Sequence, residues 1–371
     1  MQTFLIASGE PSLQSSQLLS FSVNATTGAL GAPLSIAGPT PPITAITAAG
    51  QGTGFVYVSP LAPHFPELVY GYSVDASTGA LTEIASSPFS AEGTIGLNSG
   101  FALNNFLYLG ASALLSDGLA PAVEAFGIGS DGSLTPSVAG SPFALIPPTD
   151  AIGGAGSALS VTSPYLYAAE SSGLMGATGG VAGFSIDEQT GVLTEVAGSP
   201  FSTGSYGTPG SIVIDPYGFL YIALTNPPNG QDYIAGFAID NSTGALTPVA
   251  GSPFAVNTLG FSGIALDLSG QYLFGGASPT QTIAEFQVNT STGALTPMTA
   301  TGTPISGFFE VVGNYLYAPN NTNFGSSGPS PVIAAYSIDG STGALTQVPG
   351  SPFAAGVPVF AMTSVTLPEP Q

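Results

Sequence analysis

The stretch FAIDNSTGALTPVAGSPF, residues 237–254, decides the fold. It opens on an aromatic residue and alternates apolar with small residues, the period-two pattern of a strand. Asp240 and Gly244 then frame a tight turn. An Asp side chain accepts hydrogen bonds from backbone amides just ahead of it, and Gly supplies the positive φ that such turns need. A second short strand follows, ALTPVA, and the segment ends on Gly-Ser-Pro-Phe.

Working outward, the same unit recurs as FSVNATTGALGAP (21–33), YSVDASTGALTEIASSPF (72–89), FGIGSDGSLTPSVAGSPF (126–143), FSIDEQTGVLTEVAGSPF (184–201), FQVNTSTGALTPMTATGTPI (286–305) and YSIDGSTGALTQVPGSPF (336–353). From Gly28 to Gly343 the turn glycines are spaced by 51, 53, 59, 53, 49 and 50 residues. An earlier strand in each unit carries a second motif, as in FVYVS (55–59), FLYLG (106–110), FLYIA (219–223) and YLYAP (315–319). Most copies follow a small-residue strand and a turn, so each unit reads as four short strands. Seven such units account for residues 1–371 as a single domain and predict an all-β, seven-bladed β-propeller of four-stranded antiparallel blades. TFLIASG (3–9) looks like a second strand without a first, and VFAMTSVTL (359–367) like a first strand without a second. The N- and C-terminal strands are therefore expected to pair and close the ring.

Composition narrows the functions. The chain has no Lys or Arg, 21 Asp and Glu, one His and no Cys, for a formal net charge of −21. Nucleic-acid binding, which needs cations against phosphate, is excluded. So are a P-loop lysine, a Schiff-base lysine and thiolate metal sites. No uncharged apolar run reaches the ~20 residues of a membrane span, so no membrane insertion is expected. The start, MQTFLIASGE, lacks the basic region of a signal peptide and reads as a mature or trimmed chain. Lacking Lys and Arg also removes every trypsin-type cleavage site, which suits a secreted or cell-surface location.

The repeat residues have structural readings. The turn Asp and Asn residues cap backbone amides; the alternative, calcium ligation, asks for more carboxylates per loop than these turns hold. Pro in Gly-Ser-Pro-Phe is expected to end strand pairing. Phe89, Phe143, Phe201, Phe254 and Phe353 are expected to plug the gaps between blades. His64, in the Pro-rich SPLAPHFPEL, reads as a solvated loop residue. The sequons at Asn24, Asn241, Asn289 and Asn320 fall mostly in the repeated turn, so repetition explains them. On edge strands Pro136, Pro248, Pro297, Glu83 and Glu195 hinder further pairing, whereas ALGAPLSIAG (29–38) carries Pro33 and no charge.

Four carboxylates stand outside the repeat logic. Asp150 precedes a first strand, Glu170 ends a second strand, Asp215 sits in the first-to-second strand turn IDPYG, and Glu310 is expected at the equivalent place in FFEVVGN. Two of them meeting on one face would suit acid–base chemistry or hold a divalent cation such as calcium.

The FLYIA strand, the Phe-x-Ile-Asp-x-x-Thr-Gly-x-Leu-Thr turn and the Gly-Ser-Pro-Phe ending resemble the lactonase-type seven-bladed propellers, the 6-phosphogluconolactonase-like and YVTN-repeat proteins. That resemblance implies the fold, and it implies hydrolysis of anionic sugar lactones by Arg, His and carboxylates in a central funnel. The chain departs from the pattern, having no Arg or Lys and a single His. The sequence expectation is therefore a non-catalytic extracellular or cell-surface module that is structural, adhesive or self-assembling. Its partners would be further copies of itself, through strand edges or loops such as 111–122, 171–180 and 319–331, or surface glycans. The alternative is a sugar-lactone hydrolase using funnel carboxylates, with or without a divalent cation.

Overall fold

Each repeat folds as one antiparallel sheet, and seven sheets are arranged as the blades of a ring. The computed structural model describes residues 1–12, 15–40, 43–49, 52–60, 67–91, 94–115, 118–145, 159–170, 179–225, 230–256, 261–277, 282–299, 309–320 and 331–369. Every regular element among them is a strand.

The fifth blade is representative. Thr208–Ile214 is innermost, followed outward by Phe219–Thr225, Tyr233–Ile239 and Leu246–Pro248. The first blade is built from both ends of the chain. Val359–Leu367 is its innermost strand and pairs with Gln2–Ser12, Phe4 opposite Val365 and Ile6 opposite Thr363. Ser15–Val23 and Leu34–Ala37 complete that sheet.

In one respect the structure corrects the sequence reading. Pro does not end the outer strand. In five blades a short segment beginning at the Phe of Ser-Pro-Phe resumes pairing with the same third strand: Phe89 opposite Val69, Phe143 opposite Val123, Phe201 opposite Val181, Phe254 opposite Ile234 and Phe353 opposite Ile333. The Gly-Ser-Pro step removes one stretch of ladder and the chain then rejoins the edge. Phe89 is buried, and the other four rings are partly buried against neighbouring clusters. They pack where the third strand has a small residue. A Cβ on Gly71 would come 3.1 Å from the Phe89 ring and 3.2 Å from that of Tyr57.

The core lies between blades rather than within one. One cluster joins Leu220 and Ile222 of the fifth blade to Tyr165 and Tyr167 of the fourth. Another joins Leu5 and Phe21 of the first blade to Tyr317 and Ile333 of the seventh. The second-strand tyrosine adds a directional tie. Tyr57, Tyr108, Tyr167, Tyr221 and Tyr317 donate their hydroxyls to the carbonyls of Gly132, Gly191, Gly244, Gly293 and Gly28, each in the next blade, at 2.8, 3.1, 2.8, 3.0 and 2.8 Å. Ile6 and Phe274 hold the corresponding positions in the other two blades, without a hydroxyl.

The repeated turn is self-satisfied. Asp75 Oδ1 accepts hydrogen bonds from the amides of Ser77 and Thr78 at 3.0 and 2.8 Å and from their hydroxyls at 2.6 and 2.8 Å. These donors favour the ionised carboxylate and lower its pKa to about 2. Gly79 closes the turn at φ +75° with its amide on the Asp75 carbonyl.

Candidate functional site

An innermost strand has no neighbour on its axial side, so seven of them leave space at the centre of the ring. Two cavities lie there. The first encloses about 640 Å³ and is lined by Ile46–Ala49, Gly100–Asn104, Met362–Thr366 and Glu310. The second encloses about 520 Å³ and is lined by Thr162, Val213–Pro216, Ile264–Leu268 and Phe309–Val311. Together they involve the innermost strands of all seven blades. Glu310 lines both.

Of the four carboxylates singled out in the sequence, the structure brings Asp215 and Glu310 to one cavity. Asp150 lies outside the described residues, as does His64. Glu170 ends the strand Tyr165–Glu170, its backbone paired with Gly180.

Glu310 is not at the position of Asp215, as expected from sequence. It lies in the strand Glu310–Val312 opposite Tyr317, which makes it the counterpart of Val213, opposite Tyr221. The offset is two residues, so both carboxylates leave the same face of their sheets. Glu310 reaches the neighbouring innermost strand, where it accepts hydrogen bonds from the backbone and side chain of Ser364. Protein surrounds it, and desolvation outweighs those bonds, pushing its pKa up to about 7. Its side chain nonetheless keeps partial access to the cavity space.

Asp215 has divided duties. Oδ1 accepts from the amides of Tyr217 and Phe219 at 2.9 and 2.8 Å, which fixes the turn. Oδ2 is buried without a hydrogen-bond partner, and burial raises the pKa of the group despite the amide bonds.

Sequence reasoning missed Asp267, which lines the same cavity from the next blade. Its turn, LDLSGQYLF, parallels IDPYGFLYI, and that alignment was the available signal. Both its oxygens are committed: Oδ1 to the amide of Tyr272 at 2.8 Å, Oδ2 to the amide of Ser269 at 3.0 Å and to the Ser269 hydroxyl. The two turns touch, since a Cβ on Gly270 would meet Pro216 Cδ at 2.4 Å and Asp215 Cβ at 3.3 Å. Tyr217 and Leu268 stand exposed beside them.

The arrangement offers one carboxyl that can both accept and donate a proton near neutrality, a second protonatable carboxyl, and serine and threonine hydroxyls. Among the described residues no group of three or more His, Asp or Glu side chains is placed to hold a metal ion.

Comparisons with known proteins agree with this architecture. Residues 179–306 match the family described as Lactonase, 7-bladed beta-propeller. Among solved structures the chain resembles a proposed 6-phosphogluconolactonase from Bacteroides uniformis at 18% identity, covering 98% of this chain and 99% of that one with a TM-score of 0.75. A similar protein from Bacteroides fragilis is 19% identical, with 98% of each chain covered and a TM-score of 0.73. The periplasmic gluconolactonase of Pseudomonas aeruginosa is 15% identical, over 99% of this chain and 100% of that one, with a TM-score of 0.74. No curated protein matches in sequence.

These likenesses overturn the expectation of a non-catalytic structural, adhesive or self-assembling module and favour the lactonase alternative. That expectation treated missing cations as missing catalysis. Cations serve to hold an anionic substrate, whereas the proton transfers of ester hydrolysis can be carried by carboxyl groups. By its ring of seven blades the chain is a seven-bladed β-propeller, and its residues 179–306 are similar to the lactonase family of that fold.

Proposed function

We propose that the chain hydrolyses the internal ester of a sugar lactone in its central channel, with Glu310 as the proton-transfer group. The observation that carries this reading is the Glu310 carboxyl, held between two central cavities with its pKa raised to about 7. A base poised near the working pH is populated in its acceptor form and still returns a proton readily.

In this mechanism the Glu310 carboxylate takes a proton from a water molecule as the water oxygen attacks the lactone carbonyl carbon. The tetrahedral species collapses, the ring carbon–oxygen bond breaks, and the departing alkoxide recovers the proton from Glu310. Lactone and water become a hydroxy acid, and the carboxyl returns to its starting state. Ser364 orients the carboxylate between the two transfers. Asp215 Oδ2, without a partner and raised in pKa, is the second group able to carry a proton at this cavity. The absence of trypsin-type cleavage sites supports a secreted or cell-surface setting for the reaction.

The test is a pH–rate profile for a panel of sugar lactones against the buffer blank. The expected profile rises through about pH 7 as Glu310 ionises, and Glu310→Gln flattens it to the blank. Wild-type protein that never exceeds the blank removes the proposal.

A further inference from the structure

The cation census is short. The full sequence holds no Lys or Arg and one His. The N-terminal amine is 3.1 Å from Glu369 Oε1, with both groups largely exposed, and neither Met1 nor Glu369 is among the residues lining the two cavities. No described element is a helix, so no described helix N-terminus is available to receive an anion. The second cavity is instead lined by three acidic side chains, Asp215, Asp267 and Glu310, with Thr162 as a neutral hydroxyl. The first cavity adds Thr47, Thr363 and Ser364. Recognising a phosphate or a carboxylate normally takes charge-assisted donors, above all Arg or Lys. The described residues of these walls supply hydroxyls and carboxylates, and His64 lies outside the described residues.

We infer that the substrate is an uncharged lactone, one that carries hydroxyl groups and neither a phosphate nor a carboxylate, and that the acidic channel rejects the phosphorylated counterparts. The inference rests on the lactonase reading and narrows it. About 520 Å³ lies within the range of small-molecule sites and leaves room for one sugar-sized ring. Threonine and serine hydroxyls, together with the carboxylate oxygens, match sugar hydroxyls, which both donate and accept.

The charge pattern also acts on the product. A neutral lactone enters without crossing a repulsive field. Hydrolysis turns it into a carboxylic acid, which ionises to an anion inside a protein of net charge −21. The field that ignores the substrate therefore expels the product. A phosphorylated lactone meets the same repulsion on the way in. Screening by salt relieves repulsion between partly exposed charges, so it should raise the rate on the phosphorylated lactone and leave that on the neutral one unchanged.

The experiment measures kcat/KM of the wild-type protein for glucono-1,5-lactone and for its 6-phosphate, each against the buffer blank, at about 10 mM and about 1 M ionic strength. The neutral lactone is expected to be favoured by about 100-fold at low salt, with a rate that salt leaves unchanged. The residual rate on the phosphate is expected to rise with salt, and gluconate is expected to inhibit weakly. Equal or faster turnover of the phosphate, or a phosphate rate that salt depresses, overturns this inference while leaving the lactonase reading in place. No turnover of either compound above the blank overturns both.

Discussion

The Tyr317 hydroxyl lies 2.8 Å from the carbonyl oxygen of Gly28, a hydrogen bond that spans 289 residues of sequence. It repeats, across the joint between the last and first blades, the tie that four other tyrosines make between consecutive blades. Beside it the Tyr315 ring lies against Gly28, where a Cβ would come 2.2 Å from its Cδ1.

Tyr317→Phe keeps the ring and removes the donor. Phe274 shows that the fold accommodates phenylalanine at this position. The buried Gly28 carbonyl loses a partner, which should cost about 1–3 kcal/mol. The midpoint of urea denaturation should fall while the m-value stays constant. An unchanged midpoint would mean that the tie contributes nothing.

Gly79→Ala tests the repeated turn. Its φ of +75° is unfavourable for alanine, and the new Cβ would sit 2.4 Å from Cδ1 of Phe4 in the neighbouring blade. Backbone strain alone is worth about 1–3 kcal/mol, and the ring must also move. Thermal unfolding should report a larger loss than for Gly340→Ala, where a Cβ meets nothing within 4 Å.

Glu310→Gln should separate activity from stability. Removing the proton-transfer group should lower turnover by about 10²–10⁴-fold. In the fold, burial raises the carboxyl from its ordinary 4.5 to about 7, so the folded state holds its proton more tightly than the unfolded chain. The stabilisation from this group is complete below pH 4.5 and is lost as pH rises through 7. Glutamine does not ionise, so the variant should lose less stability than wild type between pH 5 and pH 8. Melting temperatures at those two pH values give the answer; parallel losses would argue against a buried, titrating Glu310.

Acid should leave the fold standing to an unusually low pH. Protonating the 21 carboxylates of a chain without Lys or Arg leaves almost no charge to repel itself. The turn aspartates run the other way from Glu310. Asp75 and Asp339 are lowered from 3.8 to about 2 by their Ser and Thr donors, and Asp131, Asp187 and Asp240 are lowered too. Their stabilisation is present above pH 3.8 and is lost as pH falls through about 2. Circular dichroism should therefore hold to below pH 3, with any loss near pH 2. Cooperative unfolding between pH 4 and 5 would contradict this account.

Much of the architecture was legible because local chemistry repeats it. The Asp-to-Gly turn, the period-two strands and the orphan terminal strands each follow from a few adjacent residues, and the blade count follows from their number. What the sequence hid was relational. That Phe254 returns to the edge of Tyr233–Ile239 depends on the path of the chain around Pro253. The Tyr221 hydroxyl and the Gly293 carbonyl are 72 residues apart and meet only because one blade stacks on the next. The candidate site was half legible: Asp215 and Glu310 stood out as carboxylates off the repeat pattern. Their common cavity, the contribution of Asp267 and the Ser364 bonds to Glu310 depend on how neighbouring blades stack around the axis, which no single repeat encodes.

Because Gln2–Ser12 and Val359–Leu367 lie side by side in one sheet, no blade is intrinsically first. A short linker between the present ends, with new ends cut into a turn such as Asp339–Gly343, would give a circularly permuted chain with the same sheets. In that rearranged order the first blade would be continuous, and the seventh would inherit the task of holding both ends together.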